Sequence, residues 1–475
     1  MEKNDVSGPA LYEEPEPAFL SGMNAEDEHE RSEDSPETPR LLDLPDEPSI
    51  TNRRRLINVI LLGFGFMLNM GSILTAGMAQ TVVLNSVFND ATLGYICLAI
   101  NCATQAIAYL IGPSVCFLMG PKSALVVGSI AIGANIAGLI KPVYWIIFPC
   151  AAISGFGVGI VWAVQGYFVT SNSAPNTIER NTGLFWGIFQ ICLPAGSLFY
   201  YFMLRGATTI EDRTRIIVFV TLTVTAMLGT LVFILIKHPW NAKQYKHTQE
   251  INQMPVGAKA ALVATIRLGF KKEMLLLIPH FCYIGFTLTF WSNINGTALG
   301  YTRAFGNLRE SLVGLNGVFQ GVGEITGGVF LGIFGAWSNR KGRDVFLVLG
   351  LMVHLSAFYL IFLNMPPLSP LQMTNELSYI GPNPYVAMLC TALIGFGDAI
   401  WNNQLMAYLG SVYPFQTVAA FGVYQFMTAV ANVIAFGYST VLTLPFQLLI
   451  MGITGIPALA GYCWLEWKTS SKIGL

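Results

Sequence analysis

The sequence predicts an all-α membrane protein with twelve transmembrane helices arranged as two six-helix halves. Three observations carry that prediction. Of its 475 residues, 53% are hydrophobic and 11% charged, too apolar a balance for a soluble domain. The apolar residues gather into runs of about 20, the length an α-helix needs to cross ~30 Å of hydrocarbon. The chain also repeats itself. Gly155-Phe156-Gly157, with Trp162 and Gln165 after it, returns as Gly395-Phe396-Gly397 with Trp401 and Gln404. Gly187-Ile188-Phe189-Gln190 returns as Gly422-Val423-Tyr424-Gln425. These pairs fall in the fourth and tenth runs and in the fifth and eleventh, as a duplicated six-helix unit requires.

Taken in order, residues 1–52 come first. Fifteen of the 27 acidic residues lie in the first 50 positions. With so few large apolar side chains the segment cannot offset its ordering entropy, and a disordered acidic tail is expected. Inside it, Glu37-Thr38-Pro39-Arg40-Leu41-Leu42 fits the acidic dileucine pattern that adaptor complexes read on cytosolic tails. That signal addresses a protein to endosomes or lysosomes; without it the plasma membrane is the alternative. Arg53-Arg54-Arg55 marks the membrane edge. The first apolar run begins at Leu56 and is too long for a signal-peptide core, so no cleaved leader is expected.

The twelve spans read near 56–82, 93–119, 123–140, 144–168, 183–204, 216–236, 274–297, 311–336, 345–364, 385–410, 415–438 and 445–466. The halves are then 53–236 and 273–467, joined by a linker at 237–272 and followed by a short tail at 468–475. Every span interior is free of Lys and Arg. With the N-terminus inside, the inner loops and C-terminal tail hold 17 Lys and Arg and the outer loops six. The positive-inside bias therefore places both termini in the cytosol. In the linker, Leu262, Val263, Ile266 and Phe270 recur at helical spacing with Lys259 and Arg267 available to water. That pattern predicts a helix lying on the inner membrane surface. Residues 365–384 form a proline-rich outer loop.

Composition excludes several functions. Net charge is −1 and no concentrated basic face remains, so nucleic acid is not a partner; the lipid bilayer is. The eight cysteines sit in apolar runs without metal-ligand spacing and read as reduced packing residues. Gly155-x-Gly157-x-Gly159 lies inside a long apolar helix and follows no strand, so it is no dinucleotide loop. No Ser/His/Asp, Cys/His or metal constellation is present. The chain is not expected to be an enzyme, and nothing in it asks for a cofactor or metal.

Between spans 8 and 9 the chain reads Gly335-Ala-Trp-Ser-Asn339-Arg340-Lys-Gly342-Arg343. This resembles the loop signature of the major facilitator superfamily, G-x-x-x-D-R-x-G-R, with Asn339 in place of the aspartate. Other stretches narrow the resemblance. Asn69 to Val82, Ile160 to Gly166, Asn181 to Trp186, Gly321 to Gly328, His354 to Pro366 and Gly395 to Asp398 are similar to the uncoordinated-93-like branch of that superfamily. The likeness covers about residues 53–467, essentially the whole membrane domain. It implies the major facilitator fold, with spans 1, 4, 7 and 10 around a central cavity. The loop at Gly335, Asn339, Arg340, Gly342 and Arg343 would then close the inner gate. Characterised members of the branch resemble regulators of channels or of receptor trafficking more than carriers. The first-half counterpart loop, Met119-Gly120-Pro121-Lys122, lacks the arginines of the signature, which favours a regulator.

Ionisable groups at mid-bilayer cost about 2.5–3.5 kcal/mol each on insertion scales, so they ask for a reason. Glu324 lies near the centre of span 8 and Asp398 near the centre of span 10. No span offers either a cation. A carboxyl that ionises only when its cavity opens to water is a workable proton carrier, and both residues are expected to couple proton movement to conformational change. The alternative is that each stays protonated and bonds a neighbouring helix. Around them, Gln80, Trp162, Gln165, Trp291, Asn293, Trp401, Asn402 and Gln404 could line a cavity for a small polar solute or ion; interhelical hydrogen bonding is the competing reading. His354 and His280 are expected to be structural. Gly317, Gly321, Gly323, Gly327 and Gly328 are expected to let helices approach closely. Asn295-Gly-Thr297 is a glycosylation sequon at the outer rim of span 7. Two function classes follow: a secondary transporter, proton-coupled, of a small solute or ion, or a non-transporting subunit that tunes or escorts a partner membrane protein.

Overall fold

A computed structural model of the chain describes residues 51–90, 92–174, 176–204, 212–237 and 257–473. The dileucine signal at Glu37, Leu41 and Leu42 lies outside the described residues, as does the first part of the linker. A bilayer core offers no water to backbone N–H and C=O groups, so long apolar runs fold as helices that close their hydrogen bonds internally. The first half comprises α1 (Asn52–Phe88), α2 (Thr92–Met119), α3 (Pro121–Gly138), α4 (Tyr144–Ser171), α5 (Ile178–Phe189), α6 (Cys192–Leu204) and α7 (Asp212–Leu235). Linker helix α8 spans Ala258–Gly269. The second half comprises α9 (Lys272–Thr289), a π-helical turn at Phe290–Ile294, α10 (Asn295–Tyr301), α11 (Arg309–Lys341), α12 (Asp344–Asn364), α13 (Pro384–Val412), α14 (Thr417–Ser439) and α15 (Leu444–Ile473).

Among the described residues, eleven segments are long and apolar enough to cross a membrane. The third expected span, α3, has 18 residues. It is more polar because it starts at Pro121-Lys122, but at about 1.5 Å per residue it still reaches ~27 Å. It packs along α4 and α7. Two expectations need correction. The fifth span is not one helix; it breaks at Gln190-Ile191, and Pro194 falls in the first turn of α6, where its missing N–H costs nothing. The loop expected from Gly335 is also mostly helix, since α11 runs on to Lys341. Nothing between Ala336 and Lys341 breaks it, and Arg and Lys are good helix formers. The turn rests on Gly342, whose φ of +104° is a backbone conformation that glycine adopts without strain.

Within the first half, α1 packs on α7 and α2 on α4; within the second, α11 packs on α13, and α9 on α14 and α15. Two seams join the halves: α5 and α6 against α11, and α2 and α4 against α14. The first seam is backbone against backbone. A Cβ on Gly183 would lie 2.7 Å from Gly332 N, and one on Gly328 2.7 Å from Gly187 N. Small residues are what such an approach needs. The linker helix α8 buries Ala261, Thr265 and Leu268 against the bundle and exposes Val263 and Ile266; Phe270, just past its end, is exposed as well.

Candidate functional site

Glu324 and Asp398 meet. Their carboxyl groups lie within interaction range of each other, and both side chains are buried. The reason is local. A Cβ on Gly323 would collide with Ala392 O, and one on Gly395 with Gln320 O, so α11 and α13 touch on the turns that carry the two acids. Each carboxyl has further donors. Trp186 Nε1 donates to Glu324 Oε2 at 2.7 Å and Gln320 Nε2 to Glu324 Oε1 at 3.3 Å. Thr287 Oγ1 donates to Asp398 Oδ1 at 3.2 Å. Trp186 belongs to α5, so Glu324 ties the second half to the first. Two buried carboxyls this close can share a proton, and a hydrogen bond between them would need one. With no Lys or Arg in any span interior, the charge of the pair is set by protons or by a cation from outside the chain.

The structure sorts the remaining candidates. Asn402 belongs to the site: its amide donates to Asp398 O at 3.0 Å and its Oδ1 accepts from Tyr424 Oη at 2.7 Å. Trp291, on the π-helical turn, faces Asp398 without closing a hydrogen bond. Trp162 is half-buried, with its ring centroid 6.5 Å from that of Trp186. Gln165 is buried one turn below and reaches Met406 Sδ across the interface at 3.8 Å. Four candidates lie elsewhere. Gln80 binds Gly94 O at 3.3 Å and joins α1 to α2. Asn293 is exposed and bonds Ser292 Oγ at 2.7 Å. Trp401 is wholly buried inside the second half, 4.6 Å from the His280 ring and 4.5 Å from that of Tyr283. Gln404 is buried, and its backbone carbonyl accepts from Tyr462 of α15 at 3.0 Å. Helix geometry explains the split. The i+4 position brings Asn402 beneath Asp398, whereas i+3 and i+6 turn Trp401 and Gln404 toward α9 and α15.

Asn295 is likewise not a free acceptor. It is 4% exposed, and its amide donates to Asn316 Oδ1 at 2.7 Å and Thr391 Oγ1 at 3.1 Å, so the folded chain does not present it for glycosylation. His354 is structural, as expected. One ring nitrogen bonds Ile394 O at 3.1 Å and the other Tyr283 Oη at 2.7 Å. Because a carbonyl only accepts, the first carries the hydrogen and the second accepts from the phenol.

At the end where α11 meets α12, a different cluster holds the halves together. Arg343 is 9% exposed rather than solvated as a loop arginine would be. Its Nε donates to Glu179 Oε1 at 2.7 Å, and its Nη1 to Glu466 Oε2 at 3.1 Å. Its Nη2 donates to Ser411 Oγ at 3.1 Å. Burial alone would weaken its basicity, but Glu466 and Glu179 outweigh that and hold the guanidinium above its ordinary range. One side chain thus clamps α5, α13 and α15. Gly335 lies beside the clamp, where a Cβ would come 2.7 Å from Arg180 N. Asn339 and Arg340 sit on the last helical turn of α11. Glu179, Glu466, Trp186, Gln320 and Thr287 were not picked out by sequence. The two glutamates lie near span ends, where a carboxylate reads as solvated.

The family model described as ion channel regulatory protein UNC-93 matches residues 88–464. UNC93-like protein MFSD11 of Xenopus laevis is 34% identical over 438 residues, covering 88% of this chain and 98% of that protein. Protein unc-93 homolog A of Bos taurus is 24% identical, covering 88% and 94%. Among solved structures, the major facilitator superfamily transporter FucP in its outward conformation superposes with a TM-score of 0.63 at 14% identity, over 87% of this chain and 99% of that one. The proton:xylose symporter XylE gives 0.58 at 13%, over 86% and 94%. At these identities the two transporters establish the fold alone, and it is the major facilitator fold.

Proposed function

The chain belongs to the UNC-93 family, and from that premise we propose that it is a proton-coupled secondary transporter of a small solute or ion. The observation that supports this most is the bond from Trp186 of the first half to Glu324 of a carboxyl pair in the second. A change in the protonation of that pair alters a contact between the halves, which is what coupling needs. The basic helix ends around Arg343 are then the cytosolic face, with both termini in the cytosol, in an endosomal, lysosomal or plasma membrane. The tail signal at Glu37, Leu41 and Leu42 would recruit an adaptor complex.

A second reading has its own support. The matching family is described as channel-regulatory, and the Arg343 clamp holds the halves shut at one end with a fully paired buried charge. In this reading the protein tunes or escorts a partner membrane protein. One experiment separates them. A single cysteine at Trp162, in an otherwise cysteine-free chain, is labelled with an impermeant maleimide from each side at acidic and neutral pH. Labelling from both sides, with a ratio that shifts with pH and ceases to shift in Glu324→Gln, is the expected result. Labelling from one side only at every pH would overturn the transporter reading in favour of the regulator.

A further inference from the structure

We propose that the Glu324–Asp398 pair binds a protonated organic amine, which takes the place of the proton that the two carboxyls share. The proposal deepens the transporter reading and rests on it. Its first support is an imbalance of hydrogen-bonding groups. Gln320 is wholly buried; its Nε2 is spent on Glu324, and its Oε1 has no hydrogen-bond partner. That carbonyl and the two carboxyls crowd acceptors into one place, where the side-chain donors are Trp186, Thr287, the amide of Gln320 itself and Trp291, whose Nε1 faces Asp398 unpaired. A sugar, which brings as many acceptors as donors, would leave the excess unmet. An alkylammonium brings donors only.

The surroundings set the class of cation. Trp186 and Trp162 lie side by side, and Trp291 faces Asp398. Indole rings attract organic cations through their π faces. Among the described residues no group of three or more His, Cys, Asp and Glu could hold a metal ion, and hard divalent ions ask for six or more oxygens. The other titratable groups around the pair are Cys192 of α6, Tyr283 of α9, Tyr424 of α14 and, behind Tyr424, Tyr109 of α2. A thiol and phenols are ordinarily neutral near pH 7, and His354 behind Tyr283 is held by its two hydrogen bonds, so none supplies a competing positive charge. The exchange balances. The singly protonated pair carries one negative charge; the ammonium enters, the shared proton leaves, and the two carboxylates then face one cation.

Isothermal titration of the purified full-length protein tests this with phenethylamine, its neutral analogue 2-phenylethanol, and sodium ion. The amine is expected to bind at least about tenfold tighter than the alcohol. Titrations in buffers of different ionisation enthalpy should show a proton released with each amine bound, and affinity should weaken as pH falls. Asp398→Asn should lose amine binding. Gln320→Leu, which keeps both carboxyls and an apolar fit, should weaken it about tenfold while melting normally, so a misfolded Asp398→Asn would not protect the proposal. Equal binding of the alcohol, or sodium displacing the amine at comparable concentration, would overturn it. No amine binding alongside pH-dependent two-sided labelling at Trp162 would sink the amine and leave the transporter standing. One-sided labelling would sink both.

Discussion

Glu324 with Asp398 and Glu179 with Glu466 are both buried pairs of acids that join separate helices, yet only the second pair has a cation of its own. Arg343 neutralises Glu179 and Glu466 directly. Its guanidinium keeps its charge at any pH the protein meets, so that cluster is a fixed clamp. Among the described residues the central pair has no such partner; in the proposed transporter reading, its positive charge comes from solution. The same residue type would thus do opposite work: a supplied counter-ion makes a structural joint, and the proposed coupling site is the pair that lacks one.

The sharpest way to break the comparison is to take the cation from the clamp. Arg343→Met leaves Glu179 and Glu466 buried without a partner, and removing one member of a buried ion pair costs about 3–5 kcal/mol. A large fall in melting temperature or in yield of folded protein is expected. Adding Glu179→Gln and Glu466→Gln to the same chain should recover most of the loss, because apolar or neutral replacements of a whole buried ion cluster are often nearly neutral. If the triple variant were as unstable as the single one, the clamp would be a matter of packing and not of charge.

The contrast was half legible in the sequence. Glu324 and Asp398 stood out because an acid in mid-bilayer is costly wherever its helix faces, and the twelve spans stood out because hydrocarbon leaves an apolar run of that length few other structures. That the two acids touch was not legible. It depends on Gly323 resting against Ala392 and Phe396 and on Gly395 resting against Gln320 and Glu324, and composition shows glycines without showing their rotation. Glu179 and Glu466 were missed because a carboxylate near a span end is ordinarily solvated; only the helical extension of α11 to Lys341 brings Arg343 between them. The internal repeat misled in one respect. It made Trp401 and Gln404 equivalents of Trp162 and Gln165, but a repeat conserves positions and not neighbours. Around Trp162 stand Phe66, Phe189 and Trp186; around Trp401 stand His280 and Tyr283, which take it into the core.

A smaller effect is expected where the central pair meets the other half. Trp186→Phe keeps the ring volume nearly unchanged and removes the donor to Glu324. A hydrogen bond to a charged or proton-sharing carboxyl is worth roughly 1.5–3 kcal/mol, so a moderate drop in thermal stability is expected. The informative readout is not the melt but the two-sided labelling. If Trp186 is the link between the pair and the first half, the pH response of labelling at Trp162 should be lost even in protein that folds fully. A destabilised variant that keeps its pH response would make Trp186 a packing residue and move the coupling elsewhere.

The smallest stability effect belongs to the residue with the largest expected functional one. Glu324→Gln preserves the side-chain shape, and its amide oxygen can still accept from Trp186 Nε1. Its NH2 takes the place of Oε1 and can donate to Asp398 as a protonated Glu324 would, once the Gln320 amide turns its unpaired Oε1 toward it. Since replacing a shared proton by a covalent N–H retains the hydrogen bond, the melting temperature should shift by no more than about 1 kcal/mol of stability would move it. Proton exchange between protein and buffer should change far more, because Asp398 is then the only titratable carboxyl left in the pair. The contrary pattern, a collapse in stability with proton uptake unchanged, would place the central pair beside the Arg343 clamp as a second structural joint.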